Sequence, residues 1–326
     1  LTPKRLLLID QMGCFFHLLH HRSQHKAWDF IGDIKRLIVD YKIDRVVMCG
    51  EAGKSQYRLG IFPEYKLKRA EQRAKLKPED IKRYEDFLSE DVPDLELLCS
   101  MVDIPIIKAP KVEGDDLLAY FTNHLDLDEW KIIMMTPDAD MLQCIKPGVV
   151  VGSYGKDLRA SLDTRVPAKI WLNTQQFQEI YEMPPARWSQ VKALGGCSSD
   201  AIPSPQGIGE TLALRLLQKY ESLDNIEANL ETLSVPRLGT KALKSLQDNF
   251  DMVWRNLKLT ELNYGPEVEL EVFGAQGLEI LQAAIADLSR EREPKVHEFK
   301  EYLLEYGKIG VAEKADFWLQ PFSGRF

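Results

Sequence analysis

The sequence predicts an α/β fold, with a mostly parallel central sheet, helices on both faces and a helical region behind it. Three observations carry that prediction. Short apolar runs alternate with segments of helical period, as in RLLLID (5–10), AWDFIGDIKRLIVDY (27–41) and DRVVMCGE (44–51), and such alternation builds parallel sheets from β–α–β units. The strand-like runs are apolar almost throughout, as strands covered on both faces are. Several of them close on an acid: Asp10, Glu51, and Asp138 with Asp140 just past WKIIMMT (130–136). Open sheets of this kind carry their chemistry at strand carboxyl ends.

In the first helix, Phe30, Ile31, Ile34, Leu37, Ile38 and Tyr41 keep the helical period. The next stretch is basic. Lys66, Lys68, Arg69, Arg73, Lys75, Lys77, Lys82 and Arg83 crowd together, with Tyr57, Phe62 and Tyr65 interleaved. It reads either as a solvated helix face or as a surface that meets phosphates and stacks on bases. IPIIKA (104–109) is a further strand and leads into VEGDD (112–116), where Glu113, Asp115 and Asp116 open a helix. Acids there also complement the helix dipole. With Asp138 and Asp140 they form a carboxylate cluster that calls for a cation, and oxygen-rich clusters suit Mg²⁺ or Mn²⁺. GVVVGSY follows as an edge element, and TQQFQEIYEM (174–183) as a helix capped by Thr174 and stopped by Pro184 and Pro185.

From residue 187 the texture becomes helix, Gly/Ser/Pro loop, helix. Gly207-Ile208-Gly209 opens the second helix, whose free N–H groups suit a phosphate, and Asp200 adds one more acid. VPRLGTKALKSLQDN repeats a shorter version, and the chain beyond Phe250 is helical. The expected divisions are 1–185 as the core, with a helical arch at about 60–100; 186–265 as the hairpin region; and 266–326 as a helical segment packing on the core.

Among 326 residues the net charge is −8, which at face value argues against nucleic acid. A metal-dependent nuclease, however, concentrates its negative charge in the metal site. No run approaches a membrane span, and LTPKRLLLID is too short for a signal peptide. The chain starts at Leu, so a few residues are expected to be missing. Five scattered cysteines predict a reducing cytoplasm and no disulfides. His17, His20, His21 and His25 read as a wet helix end rather than a zinc site.

LLLID, GEAGKSQYRLGIFPEYKLKR, VEGDD, TPDAD and GGCSSDAIPSPQGIG, followed by VPRLGTKALKSLQDNFDMVWRNLKLTEL, resemble in content and order the 5′-nuclease (flap endonuclease) superfamily, nearest its bacteriophage and bacterial 5′→3′ exonuclease branch. The resemblance covers roughly residues 4 to 265. It implies a PIN-like core, a helix–two-turn–helix region and phosphodiester hydrolysis by two Mg²⁺ ions. Asp10, Glu51, Glu113, Asp115 and Asp116 would serve the first ion, directly or through water, and Asp138, Asp140 and Asp200 the second. Lys66 and Arg69 would neutralise the scissile phosphate, and Tyr65 would stack on a terminal base. Arg58, Lys68, Arg73, Gly207, Gly209 and Thr211 would contact DNA, and carbonyls of Ser204, Gln206 and Ile208 would bind K⁺.

The implied substrates are branched or 5′-ended DNA and RNA–DNA hybrids, cut without reading sequence by a monomer in primer removal. Three departures stand out. Cys197 replaces an Asp of the second site (with Ala201 for an Asn), Glu51 stands for Asp, and Gln11 for Gly. A thiol is a poor Mg²⁺ ligand, so Mn²⁺ could serve instead; the rival readings are a structure-specific DNA-binding protein with impaired catalysis and a nuclease with RNA preference. The tail KADFWLQPF either docks a replication clamp or polymerase or packs on the core.

Overall fold

Five strands build the sheet: β1 (Lys4–Asp10), β2 (Arg45–Cys49), β3 (Ile106–Ile107), β4 (Trp130–Met135) and β5 (Val149–Gly152). Their order is β3-β2-β1-β4-β5 and every pairing is parallel. The structure, a computed structural model, describes residues 2–20, 23, 25–67, 69, 73, 75–152 and 171–324. After β1 the chain builds outward through β2 and β3, then crosses back so that β4 lies on the other side of β1. That reversal opens a crevice at the carboxyl ends of β1 and β4, where Asp10 and the Pro137–Asp140 turn stand.

Alternation along the strands assigns the two faces. Leu6, Leu8, Val47, Cys49, Ile132 and Met134 enter one core; Leu7, Ile9, Val46, Met48 and Met135 enter the other. Each such buried aliphatic side chain contributes about 1.5–3 kcal/mol. The helices before the switch are α1 (Gln11–Phe15), α2 (Lys26–Tyr41), α3 (Gln56–Ile61), α4 (Pro78–Asp86), α5 (Val92–Met101) and α6 (Gly114–His124). A π turn (Phe87–Asp91) joins α4 to α5. Helix α2 buries Phe30, Ile31, Ile34, Leu37 and Ile38, the face its period predicts, and ends at Lys42 in a left-handed conformation.

Two local expectations are corrected. IPIIKA pairs only at Ile106 and Ile107, because Pro105 has no N–H and Ala109-Pro110 turns the chain away from this edge. The helix α7 (Thr174–Tyr181) is capped by Asn173, whose side chain accepts from Gln176 N in a capping box; it ends at left-handed Glu182, before the prolines. The Ser153-Tyr154 end of GVVVGSY lies outside the described residues, as does His21.

The hairpin region comprises α8 (Trp188–Gly195), α9 (Glu210–Tyr220), α10 (Leu223–Ala228), α11 (Thr240–Asp248) and α12 (Phe250–Thr260). Its apolar residues belong to the same core as one sheet face. Polar stitches lock this region internally and, through Gln143, to the sheet domain. Buried Asn256 donates to Ala193 O (3.0 Å) and Pro203 O (2.7 Å), and Gln143 Nε2 donates to Thr260 O (2.9 Å).

Helix α13 (Pro266–Ala286), kinked at Gly274, covers α6, and α14 (Val296–Glu305), α15 (Ile309–Ala312) and α16 (Ala315–Leu319) cover the other face. The aromatic tail is packed. Trp318, Trp28 and Phe299 stack on one another, and Leu319 and Phe322 are buried; Phe317 points outward, 70% exposed. Trp318 and Phe322 are therefore part of the core packing.

Candidate active site

At the switch point lies a cleft of about 670 Å³. Asp10, Glu51, Asp115, Asp138, Asp140 and Asp200 line it, and Lys66, Arg69, Arg73 and Lys192 supply the opposing charge. Asp10 caps α1: its Oδ1 accepts from Gly13 N (2.8 Å) and its Oδ2 from the Thr136 hydroxyl (3.0 Å). A Cβ on Gly13 would lie 2.1 Å from Asp10 Oδ2, so only glycine permits this approach. Thr136 also accepts from Asp138 N (3.0 Å), and Asp138 in turn accepts from Asp140 N (2.8 Å). One hydroxyl therefore ties together the acids at the ends of β1 and β4. Thr136 opens the TPDAD motif, but this role does not follow from the sequence.

Burial pushes the Asp10 carboxyl above the usual range, against the hydrogen bonds from Gly13 and Thr136. Asp115 is raised well above it by burial, then by Asp138 and Asp10, and Asp138 is raised to about 7 by burial, then by Asp140. These three acids press on one another with too little positive charge between them. Among the described residues no three His, Cys, Asp or Glu side chains already close on one point as a metal cage. The carboxylates offer oxygen donors in an open cleft, and Mg²⁺ keeps several waters and takes one or two carboxylates. The donors fit a hard divalent cation.

A carboxyl whose folded pKa exceeds its unfolded value loses stability as pH rises between the two. For Asp138 that window runs from 3.8 to about 7. The metal-free protein is therefore expected to melt lower at about pH 8 than at about pH 5, and millimolar Mg²⁺ to raise Tm more at the higher pH. Equal metal-induced shifts at both pH values would refute this account of the cleft.

The cluster is narrower than the sequence suggested. Glu113 is 4% exposed and does not line the cleft; it accepts from Lys66 Nζ (2.7 Å), Arg58 Nη1 (3.1 Å) and the Tyr65 hydroxyl (3.0 Å). Asp116 is fully buried and held bidentately by Arg58 at 2.8 Å. Burial alone would raise its pKa, but Arg58 and the hydrogen bonds bring it below the usual value. Neither carboxylate reaches the cleft as placed.

Arg58, expected on DNA, is 3% exposed and cannot touch a phosphate. Tyr65 is 6% exposed and cannot stack on a base. Its hydroxyl is committed to Glu113 instead.

Lys66 keeps its expected position at the cleft. Its backbone is left-handed (φ 57°) and its N–H donates to Asp200 O (2.9 Å). Burial works against its charge, but Glu113 and Asp200 hold its pKa above the ordinary value. Arg69 Nη2 donates to Asp200 Oδ1 (2.7 Å). Arg73 stands at the mouth, 4.3 Å over the Tyr84 ring, and Lys68 lies outside the described residues.

Lys192, which the sequence did not single out, bridges Asp140 and Glu210 at 3.2 Å each. Cys197 lies beside Ser199 Oγ (3.0 Å) and Asp200 Oδ2 (3.6 Å). Burial, then Asp200 and Asp140, push its thiol up to about 11, so it is a neutral neighbour to the acids. Gly207, Gly209 and Thr211 are exposed at the start of α9. Gly207 has φ +84°, and a Cβ there would meet Ala242 Cβ at 3.1 Å; the turn is held against α11 by Gln206 N donating to Ser245 Oγ (2.7 Å).

Fold and cleft define a class: a parallel α/β domain with an acidic, cation-demanding site at its switch point, joined to a helical hairpin region. Residues 5–179 match the 5′-3′ exonuclease N-terminal resolvase-like domain, and residues 183–280 the 5′-3′ exonuclease C-terminal SAM fold. The chain belongs to the 5′-3′ exonuclease family. It is 27% identical over 261 residues to a 5′-3′ exonuclease of Bacillus subtilis, covering 76% of this chain and 81% of that protein.

It is 24% identical over 278 residues to DNA polymerase I of Bacillus caldotenax, covering 82% of this chain but 29% of the polymerase. The chain thus spans less than a third of the polymerases it matches. Zinc-bound T5 5′-exonuclease shares the fold, with a TM-score of 0.71 at 22% identity over 87% of this chain and 98% of that one.

Proposed function

We propose that this chain is a Mg²⁺-dependent 5′-nuclease that hydrolyses phosphodiester bonds in branched or 5′-ended DNA by structure rather than sequence. The observation that carries the reading is the mutual crowding of Asp10, Asp115 and Asp138 in a cleft that Lys66 and Arg69 also line. Asp10, Asp115 and Asp138 would hold divalent ions, with Glu51, Asp140 and Asp200 on the surrounding wall. When bound, such ions activate water and stabilise charge on the attacking and leaving oxygens.

The chain's own residues do the rest. Lys66 and Arg69, fixed by Glu113 and Asp200, are placed to stabilise charge developing on the phosphate. Arg73 at the mouth, and the N–H groups at Gly207–Thr211, would grip backbone phosphates, which fix register without reading bases. The same proposal extends to K⁺ on the Ser204–Ile208 turn, to RNA–DNA hybrids as substrates, to action as a monomer in the cytoplasm, and to primer removal in replication. The polymerase and exonuclease relatives support the last of these.

Cleavage of a 5′-labelled flap duplex with Mg²⁺, Mn²⁺ or EDTA tests the reading. Metal-dependent release of short 5′ products is expected, and abolition by EDTA. Tight binding without cleavage under either metal would replace it with the binding-protein reading, which Cys197 and the ion pairs holding Asp140 and Asp200 favour.

A further inference from the structure

Of the three acids in VEGDD only Asp115 lines the cleft, and the reason is a buried cation. Arg58 lies on α3 and uses all five of its donors. Its Nε bonds Leu259 O (2.9 Å). Nη1 bonds Glu113 Oε2 (3.1 Å) and Asp116 Oδ2 (2.8 Å), and Nη2 bonds Asp116 Oδ1 (2.8 Å) and the Tyr264 hydroxyl (3.0 Å). Tyr264 donates onward to Asp116 Oδ1 (2.8 Å), and Asp116 Oδ2 also receives Glu113 N (3.3 Å).

An ion pair this deep is strongly destabilised when one partner is removed, so these two carboxylates are bound to stay. Glu113 then spends its other oxygen on Lys66. The chain Leu259/Tyr264–Arg58–Glu113–Lys66 thus runs from the hairpin region to the rim of the cleft.

We propose that Arg58 is a positioning residue that sorts the acidic cluster. It holds Glu113 and Asp116 as its own counter-anions, leaves Asp115 alone to face the cleft, and fixes Lys66 through Glu113. Arginine is required because only its planar fork reaches two carboxylates, a hydroxyl and a carbonyl at once; the ammonium of lysine is a point charge.

Two measurements on the full chain test this. In a Mn²⁺ titration followed by electron paramagnetic resonance, Asp116→Asn leaves the Kd unchanged, whereas Asp115→Asn weakens it by about 10–100-fold. Equal weakening by both overturns the sorting. Should Asp116→Asn fail to fold, Arg58→Met with Asp116→Leu removes both charges together and releases Glu113 from its arginine; the Mn²⁺ Kd is then expected to shift from the wild-type value, and an unchanged Kd overturns the proposal.

The second arm rests on the nuclease reading. Arg58→Lys lowers kcat on a flap about 10–100-fold at unchanged KM, with a cooperative melt retained. Unchanged kcat, or KM rising as kcat falls, overturns the positioning role. A wild-type chain that cuts nothing refutes the nuclease reading instead, and the Mn²⁺ comparison still decides the sorting.

Discussion

Lys66→Ala is expected to lower kcat for flap cleavage by about 10²–10³-fold, the scale on which one preorganised charge-stabilising donor acts, while duplex affinity persists. The lysine is held by Glu113 at 2.7 Å and flanked by Asp200 and Asp115, which keep it charged. It is one cation at the reacting end of a molecule whose duplex grip would be spread over Arg73 and the distant Gly207–Thr211 turn. Phosphate contacts add through many sites, so losing one costs little binding. Gel-shift and single-turnover assays on the same flap separate the two effects. Parallel loss of affinity and turnover would place Lys66 in binding rather than in transition-state stabilisation.

Asp138→Asn is expected to move stability and activity in opposite directions. The carboxyl sits at about 7 rather than 3.8 because burial and Asp140 oppose its charge. Each pKa unit corresponds to about 1.4 kcal/mol, reduced here by the solvent that enters the cleft. Removing the charge should therefore raise Tm of the metal-free protein at neutral pH by a few degrees, while Asn can still accept from Asp140 N. On the proposed nuclease reading the same substitution also removes an anionic metal ligand, so metal-dependent cleavage is expected to fall at least about 100-fold. A variant that loses stability along with activity would show Asp138 to be a structural cap rather than a strained ligand, contrary to the usual trade-off at functional sites.

Much of this was legible in the chain itself. The apolar runs, their helical intervals and their closing acids predicted the parallel sheet, and Asp10, Glu51, Asp115, Asp138, Asp140 and Asp200 do gather at one cleft. The misassignments cluster around VEGDD and the basic stretch. Glu113, Asp115 and Asp116 are all acids of one short motif, yet Glu113 is the extended N-cap while Asp115 and Asp116 are successive helix positions about 100° apart, so at most some of them can face one crevice.

Which one does depends on Arg58, 55 residues from Glu113, and on Tyr264, 148 residues from Asp116. In the same way Tyr65 and Arg58 carry the composition of a nucleic-acid surface but are folded inward, and Lys192 reaches Asp140 only because α8 packs beside the Asp138–Cys144 turn.

Local pattern, then, determined the strands, the helices, the carboxylates at strand ends and the glycine turn before α9, because periodicity and backbone sterics act over a few residues. The tertiary structure alone decided which charges meet and which face solvent. Pairing a buried charge is a requirement that only a partner brought from far along the chain can satisfy.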